Sequence, residues 1–401
     1  MKAGWEVKTL GDALAVVRNG LNCKQSDDLQ GVPISRIETI ARGSINFDRV
    51  GRAQITENQK AKYKLRQGDI LFSHINSPPH VGKTAILKST AELYHGVNLL
   101  LFRPEADIDQ GYLEHYLKYL HSSGYWRSRC KQSVNQASVN QTDIKKVRFP
   151  KPPLEEQMRI VSILDEAFEG LDRARENAEA NLKSARELFD SARSSVFANL
   201  LDTAPLAQLG ELCSRVSVGH VGETSKHYVT EGGVPFIRSQ NVRPSGIDLQ
   251  GVAQITHEFH QSLKKSQLVG GELLFVRVGA NRGQCCSLPL GLGDLNCANI
   301  VFGRPKVGDV KYMEHYCQSI VGQENLLGMT TGSAQGVINT KSVATLTIPM
   351  PNPSVQAQVV TKLDALMNQT AKSQSHYQTK LQDISDLRQS LLQKAFAGEL
   401  T

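Results

Sequence analysis

Apolar residues along this chain follow two patterns. The first is a set of short unbroken runs: Ile70-Leu71-Phe72, Leu99-Leu100-Leu101-Phe102 and Leu273-Leu274-Phe275-Val276. Runs this short, bounded by glycine and polar residues, predict buried strands. Residues 112–120 and 312–320 predict one helix after each group. Polar loops bearing glycine or proline lie between, at 19–31, 73–84, 131–141, 217–233, 276–287 and 329–340. The second pattern is a step of seven. Leu164, Leu171, Ala178, Ala185 and Ala192 obey it, and so do Leu363, Thr370, Tyr377, Ile384 and Leu391, at a constant offset of 199. Ala167, Ala174 and Leu188, with Leu366 and Leu387, support the same stripes. From Leu154 to Asn199 the chain has no glycine but Gly170 and no proline, and Ser354 to Ala397 has neither. Pro150, Pro152, Pro153 and Pro205 bracket the first stretch; Pro349, Pro351, Pro353 and Gly398 bracket the second. Two long helices pairing as a coiled coil are predicted, each of about 45 residues and ~65 Å.

The chain also repeats itself. Leu10-Gly11-Asp12 returns as Leu209-Gly210-Glu211, and Val32-Pro33-Ile34-Ser35-Arg36 as Val234-Pro235-Phe236-Ile237-Arg238. Gly68-Asp69-Ile70-Leu71-Phe72 returns as Gly271-Glu272-Leu273-Leu274-Phe275. Tyr112, Glu114, His115 and Tyr116 return as Tyr312, Glu314, His315 and Tyr316, and Phe149-Pro150 with Pro152 as Ile348-Pro349 with Pro351. Five matches in one order imply two similar modules, able to engage two similar targets at a fixed separation. The order is module, helix, module, helix. If the second helix returns beside the first, the pair is antiparallel and the chain has a pseudo-two-fold axis. The fold class expected is α/β (α+β): residues 1–150 and 204–349 as globular modules, 151–203 and 350–401 as helical spacers.

Composition narrows the function. At 401 residues, 40% hydrophobic and 21% charged, the chain has the make-up of a soluble globular protein. No apolar run reaches the ~18 residues of a membrane span, and the start is no signal peptide. Seven cysteines without a CxxC pair fit a reducing cytoplasm and give no zinc spacing. The net charge is +7, unevenly spread. Residues 155–200 carry ten acidic and six basic side chains, and 354–397 carry three and five, which leaves +9 on the rest of the chain. Basic modules on a non-basic strut suit a polyanion.

Catalytic signals are weak. Ser77-Pro78-Pro79-His80 is similar to the polar-Pro-Pro-aromatic motif of amino-methyltransferases, but histidine replaces the aromatic, no glycine-rich cofactor turn precedes it, and the second repeat lacks it. Gly82-Lys83-Thr84 has Ser77 where a P-loop needs glycine. Glu114-His115 and Glu314-His315 recur on helices without a partner at metal spacing. Cys285-Cys286 is read as two strand residues rather than a redox pair. No acid/base or nucleophile set emerges.

A resemblance covers the whole chain. Trp5 with Leu10-Gly11-Asp12, Gly68-Asp69-Ile70-Leu71-Phe72-Ser73, Gln136-Ala137-Ser138-Val139-Asn140, and Phe149-Pro150 through Glu155-Glu156-Gln157 to Leu164-Asp165 occur in order, and the chain ends Leu392-Gln393-Lys394-Ala395-Phe396-Ala397-Gly398-Glu399-Leu400. Together these resemble the specificity subunit of type I restriction-modification enzymes. The second linker departs from the pattern: Pro353-Ser354-Val355-Gln356 lacks the two glutamates. The resemblance implies two target recognition domains, each reading one half of a split, asymmetric double-stranded DNA site. The helices would set the spacer and dock two modification subunits that bind S-adenosylmethionine and methylate adenine. Motor-nuclease subunits, with ATP and Mg2+, would add restriction. The chain itself would carry no cofactor and no catalytic residue, and would act in the cytoplasm. Two rival classes are a self-sufficient DNA methyltransferase using the Ser77 loop and a two-module protein-binding scaffold.

Site residues follow from that reading. Positions shared by both modules, Arg36/Arg238, Asn98/Asn299, Gln136/Gln335 and Asn140/Asn339, cannot alone distinguish two half-sites. They are expected to touch the DNA backbone or to support the fold, with support favoured for Asn98/Asn299. Base reading is expected from loops that differ: His74, Asn76 and Lys83 against Arg277, Asn281 and Arg282, since Arg and Lys suit guanine and Asn suits adenine. Apolar residues on the long helices exceed one seam, so Phe168, Phe189, Phe197, Met367, Leu381 and Phe396 are expected to form a second face for partner subunits.

Overall fold

The computed structural model describes residues 2, 4–26, 30–133, 136–328 and 336–400. By internal contacts the chain forms two units: Met1–Ala178 with Thr379–Thr401, and Glu179–Gln378.

In the first unit a four-stranded antiparallel sheet runs in the order Leu14–Asn19, Leu100–Pro104, Ile70–Phe72, Thr84–Ile86. Its two central strands are built on unbroken apolar runs, Ile70–Phe72 and Leu100–Phe102, because both faces are covered. Ile70, Phe72, Leu100 and Phe102 enter one core cluster, while Leu71, Ala85 and Leu101 enter another on the opposite face. The second unit repeats this: Cys213–Val218, Ile300–Pro305, Leu273–Val276, Cys285–Ser287. Leu273 and Phe275 fill one cluster, Leu274 and Val276 the other. Even the register irregularity recurs, between Leu14 and Val16 and between Cys213 and Arg215. Just before the central strand, Asp69 receives both arms of Arg103 at 2.7 and 2.8 Å, and Glu272 receives Arg304 at 2.9 Å. Both carboxylates are fully buried, so the acidic residue after Gly68 or Gly271 is a paired core charge.

One helix covers each sheet. Asp109 caps Gln110–Ser122, and Asp309 caps Val310–Gln318. Tyr112, Leu113, Tyr116, Leu117 and Leu120, at helical spacing, turn into the first core. The hydroxyl of Tyr112 donates to the Pro150 carbonyl at 2.9 Å, and that of Tyr312 to the Pro349 carbonyl at 2.7 Å. The repeated tyrosines thus pin the proline-rich exits that lead into the long helices.

Those helices span Leu154–Thr203 and Pro353–Ala397. In the first unit Ile160, Leu164 and Phe168 of one meet Leu392, Ala395 and Phe396 of the other, and Asp172 pairs with Arg388 at 2.7 Å. Rising numbers meet falling ones, so the pairing is antiparallel. In the second unit Leu363, at the start of the later helix, shares a core with Phe197, near the end of the earlier one. The seven-residue positions are all at least half-buried. Of the supporting positions, Leu188 and Leu387 depart: they are 73% and 49% exposed.

A second anchor recurs. Gln157 is buried, accepts the Asp109 amide at 2.8 Å and donates to the Pro152 carbonyl at 2.9 Å. Gln356 does the same with Asp309 at 2.9 Å and Pro351 at 2.7 Å. The glutamine is therefore the anchor common to both linkers, and the second keeps it without the glutamates. His115 bonds Asp165 at 2.8 Å, and His315 bonds Asp364 at 2.9 Å. Each pair ties a module helix to its long helix, so the recurrent histidines are structural.

Candidate nucleic-acid interface

The loop that leaves the central strand meets the same downstream segment in each unit. In the first, the Val139 amide donates to the His74 carbonyl at 2.9 Å. Ile75–Asn76 pairs with Gln136–Ser138, which pairs with Lys131–Ser133, giving a three-stranded antiparallel sheet. In the second, the Ile338 amide donates to the Arg277 carbonyl at 3.2 Å, and Arg277 Nε returns a bond to the Ile338 carbonyl at 3.2 Å. Arg282 adds a guanidinium bond to the Gly336 carbonyl. The structure thus brings His74, Asn76 and Gln136 together in one unit, and Arg277 and Arg282 beside 336–338 in the other.

The side chains differ in how far they are free. His74 is half-buried, and burial holds its imidazole below the ordinary histidine range, so it is neutral at pH 7. Asn76 spends its amide locally, on Ser73 Oγ at 3.0 Å and the Ser77 amide at 2.8 Å. Lys83 Nζ donates to the Ala41 carbonyl at 2.8 Å. Asn281 is exposed and accepts from Gln284 at 3.3 Å. The shared positions are largely framework. Asn140 and Asn339 cap short helices by accepting the Asp143 and Ser342 amides at 2.8 and 2.9 Å. The Arg36 and Arg238 amides open matched turns, bonding Thr39 Oγ1 and Asn241 Oδ1, each at 2.9 Å. Asn98 and Asn299 hold left-handed backbone, with φ of 71° and 53°. Asparagine tolerates that region better than most residues. Gln136 is exposed, whereas Gln335 lies outside the described residues.

The residues behind the weak catalytic signals make structural contacts. Residues 77–81 form a turn closed by the His80 and Val81 amides on the Ser77 carbonyl. Gly82 has φ of 88°, and a Cβ there would lie 2.1 Å from Trp126 Cδ1. Its glycine serves close packing on Trp126. Cys285 and Cys286 face opposite core clusters, and burial pushes the Cys286 thiol up to about 12, away from redox reactivity.

Three of the residues assigned to a partner face need correction. Phe168, Phe197 and Phe396 are buried in the chain's own cores. Phe396 lies edge-on to Tyr112 and Tyr116, at 5.3 and 5.0 Å, and Phe197 edge-on to Tyr312 and Tyr316, both at 5.4 Å. Their period placed them on a helical face that the modules themselves cover. Phe189 and Leu381 stay half-buried and Met367 exposed. Two features escaped the sequence reading: the role of Gln157 and Gln356, and the exposed strand Lys131–Ser133, which lies in a stretch from 115 to 142 with no acidic residue.

Comparison with known proteins places this architecture. Residues 2–182 match the family model for the type I restriction modification DNA specificity domain. The chain is 32% identical over 378 residues to the MjaX type I restriction enzyme specificity subunit of Methanocaldococcus jannaschii, covering 90% of this chain and 86% of that protein. It is 25% identical over 436 residues to the EcoKI specificity subunit of Escherichia coli, covering 99% and 89%. The fold is shared with a solved chain concerned with assembly and conformational transition of the type I R-M system, at a TM-score of 0.78, 20% identity and coverage of 100% and 99%. It is also shared with the HsdS subunit from Thermoanaerobacter tengcongensis, at 0.57, 19% identity and coverage of 100% and 98%. Two units built on the same four-stranded sheet order, with long helices packed into both, define a paired DNA-specificity protein. The chain belongs to the specificity subunits of type I restriction-modification enzymes.

Proposed function

We propose that each unit reads one half of an asymmetric, split double-stranded DNA site, and that the long helices set the spacer and dock two modification subunits. In this reading S-adenosylmethionine belongs to the modification subunits, ATP and Mg2+ to motor-nuclease subunits, and the chain contributes recognition without catalysis, in the cytoplasm. The observation that carries it is one scaffold with two chemistries. The same sheet, caps and buried anchors recur in both units, while the loops after the central strands carry His74, Asn76 and Lys83 in one and Arg277, Asn281 and Arg282 in the other. A scaffold repeated for stability alone would not need different loops. Docking is supported by Leu188 and Leu387, exposed at equivalent positions of the two helices, with Phe189, Met367 and Leu381. Among the described residues no helix is long and apolar enough to cross a membrane.

The test is to map methylated adenines in cells that hold the modification subunits, with and without this chain. A single split motif should be present only with the chain. A motif that persists without it, or purified chain that methylates DNA alone, would overturn the reading.

A further inference from the structure

We propose that Lys131, Ser133 and Gln136 form the base-reading face of the first unit, presented on a two-stranded ribbon that enters the major groove. This rests on the DNA-specificity reading and names the side chains that carry it for one half-site.

The register fixes which residues share a face. Gln136 lies opposite Ser133, Ala137 opposite Gln132, and Ser138 opposite Lys131. Ala137 is fully buried in the core, so its face is inward. Side chains alternate along strands, which puts Lys131, Ser133, Gln136 and Ser138 on the outward face. Lys131, Ser133 and Gln136 are exposed, and Gln132, opposite Ala137 on the other face, is exposed too because it lies on the edge strand. The strand Lys131–Ser133 is the edge of its sheet, and no other described strand pairs with its free side.

Shape and charge then select the target. Paired strands lie ~4.8 Å apart, and the ~12 Å major groove has room for the edge pair of this three-stranded sheet. Between Glu114 and Asp143 the chain has four Lys or Arg and no acidic residue. Two of these, Arg127 and Arg129, are exposed on the helix Tyr125–Arg129 that runs directly into the ribbon, and the Arg129 guanidinium stacks on the Tyr125 ring at 4.0 Å. They suit phosphates beside the groove, whereas the ribbon's own groups suit bases: lysine for guanine O6/N7, glutamine for adenine N6/N7, serine for either. The face differs between repeats at two of its three positions: Gln136 recurs as Gln335, so discrimination between half-sites falls to Lys131 and Ser133. At the offset of 199 the second repeat has Thr330 and Gly332 in place of Lys131 and Ser133.

The experiment uses the full complex in cells, with methylated adenines mapped for wild type, Lys131→Ala, Lys131→Arg, Ser133→Ala, Gln136→Ala and the double variant Arg127→Ala/Arg129→Ala. Lys131→Ala should lose discrimination at one base pair by roughly 5- to 150-fold, while the other half-site keeps its full sequence. Lys131→Arg should retain the preference. The double variant should lower methylation at all sites without changing the motif. Unchanged recognition in all three ribbon alanine variants would overturn the proposal. Equal loss at both half-sites would do so too, as would loss of modification subunits on co-purification, which would mark the ribbon as a protein contact. If removing the whole chain left methylation unchanged, the DNA-specificity reading would fail instead.

Discussion

His95 shows how one side chain differs between otherwise matched copies. The Leu21 amide donates to the His95 carbonyl, and in the second unit the His220 amide donates to the Cys297 carbonyl. Histidine in one copy and cysteine in the other occupy the same buried place. His95 Nε2 bonds the Leu99 carbonyl at 3.1 Å while its buried Nδ1 has no partner, so the ring is accommodated neutral. Burial pushes its pKa from 6.5 to about 4. The unfolded chain therefore takes up a proton below pH 6.5 that the folded chain refuses until about 4. This contribution to stability is full above 6.5, falls as pH drops from 6.5 to about 4, and is gone below. Urea-unfolding midpoints measured across that window should fall with pH, and His95→Cys should remove part of the slope. Part will remain, because burial also lowers His74, His121 and His315. An unchanged slope in the variant would contradict this account. At this scale the sequence was only half legible. The repeated asparagines stood out, but a helix cap and a base contact both select asparagine, and only hydrogen bonds separate the two uses.

The long helices were legible in the seven-residue step, and the strands in their apolar runs. What the step could not say is what covers each face. Phe197 and Phe396 occupy the same position of the two helices, 199 residues apart. Each lies near the end of its helix and packs on the tyrosines of the module helix in its own unit. The start of each helix, at Leu164 or Leu363, joins the same core. Every module is thus closed by the start of one long helix and the end of the other. Phe396→Ala should cost about 3–5 kcal/mol, the usual penalty for an emptied aromatic site in a core. It should lower the unfolding temperature of the purified chain without any partner present. Unchanged stability of the isolated chain, with loss of complex assembly alone, would return Phe396 to a partner face.

At the scale of the whole molecule, the repeat and the charge distribution were legible in the sequence, because both are properties of order along the chain. The exposed edge strand and the caps did not show, because they depend on which loops meet. The helix Leu154–Thr203 is continuous through residue 178, where the first unit gives way to the second. A continuous helix transmits length without slack: each added residue contributes ~1.5 Å. If this helix sets the distance between half-sites, four residues inserted beside Ala178 add about 6 Å, close to two base pairs of rise at ~3.4 Å each. Such a variant should methylate a motif with a longer nonspecific spacer and unaltered half-sites. The insertion also rotates the downstream part of the helix by about 40°, since four residues exceed one turn of 3.6, so activity should fall even where the new spacing is accepted. Mapping methylated adenines reads both effects at once. An active variant with the original spacer would mean that the modules, and not the helices, set the separation.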